Sequence, residues 1–97
     1  MPKLYEYLGF IFYFYSHEHL PIHIHVKKAD RESKCEIYYD KEVYLKWKKV
    51  TDKKKLTASE IKDADLFIHK YYSAIINKWT QYFLFHQNIV CEKIQKL

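Results

Sequence analysis

The chain has 97 residues, enough for one folded domain but too few for two separate hydrophobic cores. Its hydrophobic content of 48% excludes a disordered or fibrous protein, and its aromatic content of 19% supplies a large buried area to a small core. The formal net charge of +5 comes from one segment, because residues 46–56 carry six lysines and one aspartate. We expect a single domain over residues 1–97, with a sheet half at 1–50 and a helical half at 57–97.

Apolar runs in this chain are too short to span a membrane, since the longest covers only residues 10–15. Glu6 falls where a secretory signal peptide would need an apolar run. Cys35 and Cys91 are far apart in the sequence and form no paired motif, which is typical of a reducing compartment. The sequence therefore predicts a cytoplasmic protein without membrane contact.

The first predicted strands are rich in aromatic residues. Leu8 and Gly9 offer a tight turn after a short strand at residues 4–7, because Gly9 is the chain's only glycine. Residues 10–15, F-I-F-Y-F-Y, predict a central strand with Phe10, Phe12 and Phe14 on one face.

Alternation continues after Pro21, where Ile22, Ile24 and Val26 face one side and His23 and His25 face the other. Residues 29–32 predict a turn, and the alternating segments at 35–39 and 43–47 predict two more strands. Five antiparallel strands are therefore expected in the first half of the chain.

The second half has helical spacing. Thr57 and Glu60 match a capping box, with Thr57 as the N-cap. A single straight helix to the end of the chain would be about 58 Å long, which exceeds a domain of this size. We expect either a break between Ile68 and Tyr72 or packing of the far end on a second subunit. Residues 84–97 are apolar enough to predict a homo-oligomer that associates through this end.

Together these elements predict an α+β fold, a small antiparallel sheet of about five strands followed by two C-terminal helices, or one long broken helix, packed on one sheet face. The residues expected to be mostly buried are Phe12, Ile24, Ile37, Leu45, Ile61, Ile68, Ile75 and Trp79.

The segment S-H-E-H-L-P-I-H-I-H-V, residues 16–26, is the main candidate site. His23 and His25 leave the same face of a strand, a spacing that suits two ligands of one metal ion. Glu18 or His19 is brought near by the bend at Pro21. The candidate catalytic residues are His23, His25, Glu18 and His19, and the candidate metal ligands are His23, His25 and His19.

Three interpretations of the histidines remain open. They hold a divalent metal such as zinc, they act as a general acid and base that cleave RNA through its own 2′-hydroxyl, or they serve structure and partner contact. His69 and His86 are expected to be ordinary helix residues.

The lysine segment is the second candidate site, either as a solvated loop or as a contact with the backbone of RNA or DNA. Arg31 is the only arginine among 17 cationic side chains, and bidentate base recognition prefers arginine, so backbone contact is favoured. The candidate nucleic-acid-binding residues are Lys46, Lys48, Lys49, Lys53, Lys54 and Lys55.

The order of these motifs resembles the bacterial "domain of unknown function 4160" family over about residues 1–85. The matching positions are Met1, Pro2, Tyr7, Gly9, Tyr15, Ser16, Glu18, His19, Pro21, His23, Ile24, His25 and Val26, with W-x-x-Y-F at 79–83. The chain departs from the family at His17, whose position varies, and at residues 84–97, which run past the usual end.

The resemblance implies a small bacterial protein encoded beside another small domain, in an arrangement similar to toxin–antitoxin pairs. Three functions follow as hypotheses: a toxin–antitoxin component with a histidine site and a small cognate protein as partner, a non-catalytic module that binds protein or nucleic acid on its sheet, and a structural dimer subunit. Whether the protein is an enzyme stays open at this point.

Overall fold

An aromatic hairpin begins the sheet of the computed structural model, which describes residues 3–14 and 22–97. Strands β1 (Lys3–Tyr7) and β2 (Phe10–Tyr13) pair antiparallel through a turn of Leu8 and Gly9. Both turn residues have positive φ, 46° and 87°, which matches the twist of a two-residue hairpin. The predicted turn is confirmed, and the chain's only glycine lies where a positive φ is required.

Three further antiparallel strands extend the sheet: β3 (His23–Lys28), β4 (Arg31–Asp40) and β5 (Glu42–Lys49). Only Ala29 and Asp30 form the turn between β3 and β4, and Ala29 has a φ of 54°. The predicted turn over residues 29–32 is therefore too long. Arg31 and Glu32 belong to β4, where they pair with the end of β3.

One helix, α1 (Ala58–Trp79), follows the strands and continues into a π-helical turn (Thr80–Leu84). The capping box is confirmed: the Thr57 hydroxyl accepts from the Glu60 N–H, and the Glu60 carboxylate accepts from the Thr57 N–H. The predicted break between Ile68 and Tyr72 is wrong, because α1 packs along the sheet without interruption as far as Trp79. His86 lies beyond the helical residues with a φ of 54°, so its predicted helical setting is also wrong.

The C-terminal segment returns to the sheet instead of forming a second helix. Strand β6 (Glu92–Ile94) pairs parallel with β1, so the sheet is mixed. Within the part of the chain that the structure describes it has six strands, in the order β5-β4-β3-β2-β1-β6. The prediction of five antiparallel strands and an all-helical second half is corrected here. The physical reason is the edge of β1, whose backbone N–H and C=O groups need partners that a helix cannot supply.

The hydrophobic core lies between α1 and one sheet face. Phe67 of α1 is its centre, because its ring stacks on Phe12 at 4.5 Å and on Tyr7 at 4.9 Å between centroids. Six of the eight residues predicted to be buried are buried, whereas Ile61 and Leu45 are half-buried. The other fully buried large side chains are Leu4, Tyr5, Phe10, Phe14, Val26, Cys35 and Leu56.

An ion pair ties the first turn of α1 to β4. The Arg31 guanidinium donates to Glu60 through Nε at 2.8 Å and Nη2 at 2.5 Å. The hydrogen bond from Arg31 lowers the pKa of the Glu60 carboxyl to about 2 and outweighs the effect of burial. The charged form of Glu60 is thus favoured in the folded state, and this preference stabilises the fold.

We expect Glu60→Gln to lower Tm by a few degrees at pH 7, because glutamine preserves the capping box but not the charge. The folded pKa of Glu60 lies below its ordinary value of 4.5, so its stabilisation is complete above about pH 4.5 and is lost as pH falls towards 2. Thermal unfolding should be measured at a series of pH values from 7 downward. The Tm of the unchanged chain and the Tm of Glu60→Gln should converge as the pH falls. Glu42→Gln, at an exposed position of β5, is the control. A Tm difference between the unchanged chain and Glu60→Gln that persists at pH 2 would contradict a stabilising role for the Glu60 charge.

Within the described residues, no helix combines the length and the apolar character that a membrane crossing requires.

Candidate functional site

The sheet face opposite α1 carries the candidate site, and we call it the histidine face. Alternation along β2 to β5 places its side chains in cross-strand rows. One row joins Tyr13, His25, Lys34 and Lys48, and the next joins His23, Glu36 and Lys46. The others hold Lys27 with Glu32, Tyr38 with Tyr44 and Asp40 with Glu42.

His25 and Glu32 form a buried pair at the centre of this face. The His25 Nδ1 lies 3.2 Å from the Glu32 Oε2, and the side chains are 4% and 5% exposed. The Tyr13 ring stacks on the His25 imidazole with centroids 5.5 Å apart. At this distance the Nδ1–H donates to the carboxylate, which fixes the orientation of the ring and turns Nε2 away from Glu32.

His23 stands beside this pair, with its ring centroid 5.8 Å from that of His25. It is half-buried, whereas His25 is buried. The two imidazoles therefore have different environments on one strand, and His23 is the one that a ligand in solution can reach.

Glu36 anchors a second polar group next to His23. Tyr38 Oη donates to Glu36 Oε1 at 2.9 Å, and Lys48 Nζ lies 3.3 Å from Glu36 Oε2. Burial alone would raise the pKa of the Glu36 carboxyl, but the hydrogen bonds from Tyr38 and Lys48 outweigh it and lower that pKa below its ordinary value. The same hydrogen bond to Glu36 raises the pKa of the Tyr38 hydroxyl.

The outer layer of the histidine face is cationic and aromatic. Glu32 and Glu36 are 3% and 8% exposed, while the neighbouring Lys46 and Lys48 are exposed. Asp40 and Glu42, which pair at the end of β4 and the start of β5, are exposed acids of the same face. The Tyr38 and Tyr44 rings stack nearly parallel, with centroids 5.1 Å apart and planes 8° apart. Beside the histidines the acids are buried and lysines with a stacked tyrosine pair lie at the surface, whereas the exposed acids of this face lie at the β4–β5 turn.

The remaining lysines of the predicted segment lie elsewhere. Lys49, Lys53, Lys54 and Lys55 line a shallow surface basin of about 670 Å³ together with Arg31 and Asp52. Lys54 contacts Asp30 at 3.2 Å, and Asp30 and Asp52 reduce the positive charge of this basin. The structure therefore divides the six candidate lysines between two surfaces, and only Lys46 and Lys48 share a face with the histidines.

The structure brings together only part of the predicted histidine site. His23 and His25 share one face of β3, but Glu18 and His19 lie outside the described residues. In residues 3–14 and 22–97, no three His, Cys, Asp or Glu side chains are grouped closely enough to hold a metal ion. His69 lies on α1 as expected, with its Nδ1 3.0 Å from the Asp65 carbonyl oxygen.

Sequence reasoning missed Glu32, the closest described partner of His25. The residue was assigned to a turn, although the alternation of Glu32, Lys34, Glu36 and Tyr38 signals a strand with a polar face. A shorter turn at residues 29–30 would have placed Glu32 diagonally across from His25.

A protein-family model described as Domain of unknown function (DUF4160) matches residues 9–80, which is more than half of the chain. The match covers β2 to α1 and includes His23, His25, Glu32 and Lys48. The comparisons found no match among curated proteins or solved structures.

Proposed function

Because the chain belongs to the family described as Domain of unknown function (DUF4160), which carries no assigned activity, we propose a function from its own surface: the histidine face binds single-stranded nucleic acid. The observation that carries this proposal is the stacked pair of Tyr38 and Tyr44 beside Lys46, whose Nζ lies 5.2 Å from the Tyr38 ring centroid. Flat aromatic rings on an open sheet face are platforms for unpaired bases, and neighbouring lysines suit the phosphates.

The charge distribution supports the same proposal. Lys48 is 52% exposed at its side chain, so its ammonium group remains available to a phosphate although it contacts Glu36. Lysine supplies charge without the bidentate geometry that reads base edges, so the binding is expected to depend weakly on sequence. In this proposal the buried His25 and Glu32 stabilise the sheet face, and His23 contacts the bound nucleic acid.

The test measures binding of a fluorescently labelled single-stranded RNA, and of the matching DNA, by anisotropy over a range of salt concentrations. We expect Tyr44→Ala to weaken binding at least about fivefold, since stacking contributes about 1–3 kcal/mol per base. Lys46→Gln combined with Lys48→Gln should reduce the slope of log K against log salt by about 1.4, the value for two lost phosphate contacts on a single strand.

Two matched controls come from other surfaces. Tyr39→Ala removes a tyrosine that is 65% exposed but packs near Tyr72 of α1, and the Lys62→Gln, Lys70→Gln pair changes the charge equally on the exposed side of α1. Controls that weaken binding as much as the test variants would contradict the proposal, as would an RNA affinity that no variant changes.

A second candidate function is acid–base cleavage of bound RNA, favoured by the contact of His25 with Glu32 beside His23. His23 would take the proton from the 2′-hydroxyl as its oxygen bonds to phosphorus, and a water molecule would protonate the leaving 5′-oxygen as its bond to phosphorus breaks, while the buried His25 would position the His23 ring. The same incubations distinguish the two functions. RNA fragments that end in a 2′,3′-cyclic phosphate, and that are not formed by the His23→Ala variant, would support cleavage. RNA that stays intact would support binding without cleavage. The toxin–antitoxin pairing, the cognate partner and a bound zinc ion remain predictions.

A further inference from the structure

Strand β6 is held to the rest of the chain by few contacts. It has three residues, of which only Ile94 is half-buried, and it pairs with β1 alone. Ile94 packs against the hydrophobic core. Lys78 adds polar contacts, since its Nζ donates to the Val90 carbonyl at 2.8 Å and lies 3.0 Å from the Glu92 carboxylate. A strand with so little buried area opens at a small fraction of the free energy of global unfolding.

The segment that leads to β6 has no regular secondary structure and exposes several apolar side chains. The N–H of Gln87 bonds to the Gln81 carbonyl at 2.8 Å, which fixes the chain up to that point, and residues 88–91 then cross to β1 without regular secondary structure. Near this crossing, Leu84, Phe85 and Val90 are 59%, 64% and 74% exposed. Three large apolar side chains exposed within seven residues of one segment favour a surface that another chain covers.

We propose that β6 exchanges between two copies of this chain, so that β6 of one copy pairs with β1 of the other. Closed and exchanged forms contain the same β1–β6 ladder and the same ion pair of Lys78 with Glu92. They differ mainly in the path of residues 88–91, which includes the Val90 carbonyl that Lys78 contacts, and in the entropy of association. The exchanged form additionally brings the two copies of Leu84, Phe85 and Val90 to one interface. Burial of these side chains is the gain that favours the dimer at high protein concentration.

This proposal does not rest on nucleic-acid binding, since β6 lies at the opposite edge of the sheet from β5, which carries Lys46 and Lys48. In the exchanged form the backbone N–H and C=O groups at the edge of β1 still pair with β6, in the same register. An unrelated partner would need a strand that reproduces this register. A second copy of the chain is therefore the occupant that the structure favours.

The test introduces two thiols at opposed positions of β1 and β6, Glu6→Cys and Lys93→Cys, in a Cys91→Ser background. In the closed form the thiols join within one chain, whereas in the exchanged form they join two chains. We expect oxidation of dilute protein to give internally closed monomers. Oxidation after incubation at high concentration should give covalent dimers of twice the 12.0 kDa mass of one chain on a non-reducing gel.

The control pairs Glu6→Cys with Ile11→Cys, which oppose each other within the β1–β2 hairpin and cannot be exchanged through β6. It should close internally at both concentrations. Light scattering completes the experiment. A dimer whose introduced thiols are closed within each chain would overturn strand exchange, and so would a monomer at every concentration.

Discussion

Replacing Phe67 by alanine should destabilise the fold by about 3–5 kcal/mol, the usual cost of removing a fully buried phenylalanine. Its ring lies between α1 and the sheet, in contact with Phe12 and Tyr7 from the strands and with Tyr71 on α1 at 4.6 Å. Because domains of this size are stable by only about 5–15 kcal/mol, the loss is a large part of the total. Thermal unfolding should show Tm lower by roughly 12 °C or more.

Leu66→Ala is the matched control, since Leu66 is the adjacent residue of the same helix and is 55% exposed. We expect its effect to stay within about 0.5 kcal/mol. Equal destabilisation by the two variants would mean that α1 is rotated about its axis relative to the arrangement described above.

The second large effect concerns the buried pair of His25 and Glu32. Glu32→Ala should cost about 1–3 kcal/mol, because it removes the carboxylate that accepts from the His25 Nδ1–H inside a site closed to water. His25→Ala should cost a similar amount. The double variant should lose less than the sum of the two, since each single change already breaks the shared contact.

The control cycle uses Asp65 and His69, whose Oδ2 and Nδ1 atoms are also 3.2 Å apart but whose side chains are 35% and 44% exposed. Urea unfolding of both sets should give a coupling energy of about 0.5 kcal/mol or less for this exposed pair. The buried pair should couple more strongly. Coupling equal in the two cycles would show that burial adds nothing to the contact of His25 with Glu32.

The strand half of the fold was predictable because alternation and turn chemistry act over short distances. Gly9 specifies a tight hairpin by itself, and the run from Ile22 to Val26 specifies which side faces the core. The capping box at Thr57 and Glu60 is equally local, since its two hydrogen bonds join residues three apart. These features need no knowledge of the rest of the chain.

Other features depend on distant contacts, which one sequence does not contain. Phe67 was not singled out, because periodicity identifies the buried stripe of a helix but not the residue that meets the centre of the sheet. Residues 84–94 have apolar spacing that fits a helix as well as a strand, and only the open edge of β1 decides between them. Glu32 depended on the exact length of a turn, which is the kind of boundary that propensities define least well.

On the histidine face, burial differs between the acidic and the basic side chains, and this difference affects how a charged ligand associates with the protein. Glu32 and Glu36 are buried, whereas Lys46 and Lys48 are exposed, so the charge that this part of the histidine face presents to solvent is positive. A polyanion within about 10 Å at moderate ionic strength is therefore attracted to these lysines before it makes contact. The rate of association, and not only the final affinity, is then set by the direction in which these side chains point.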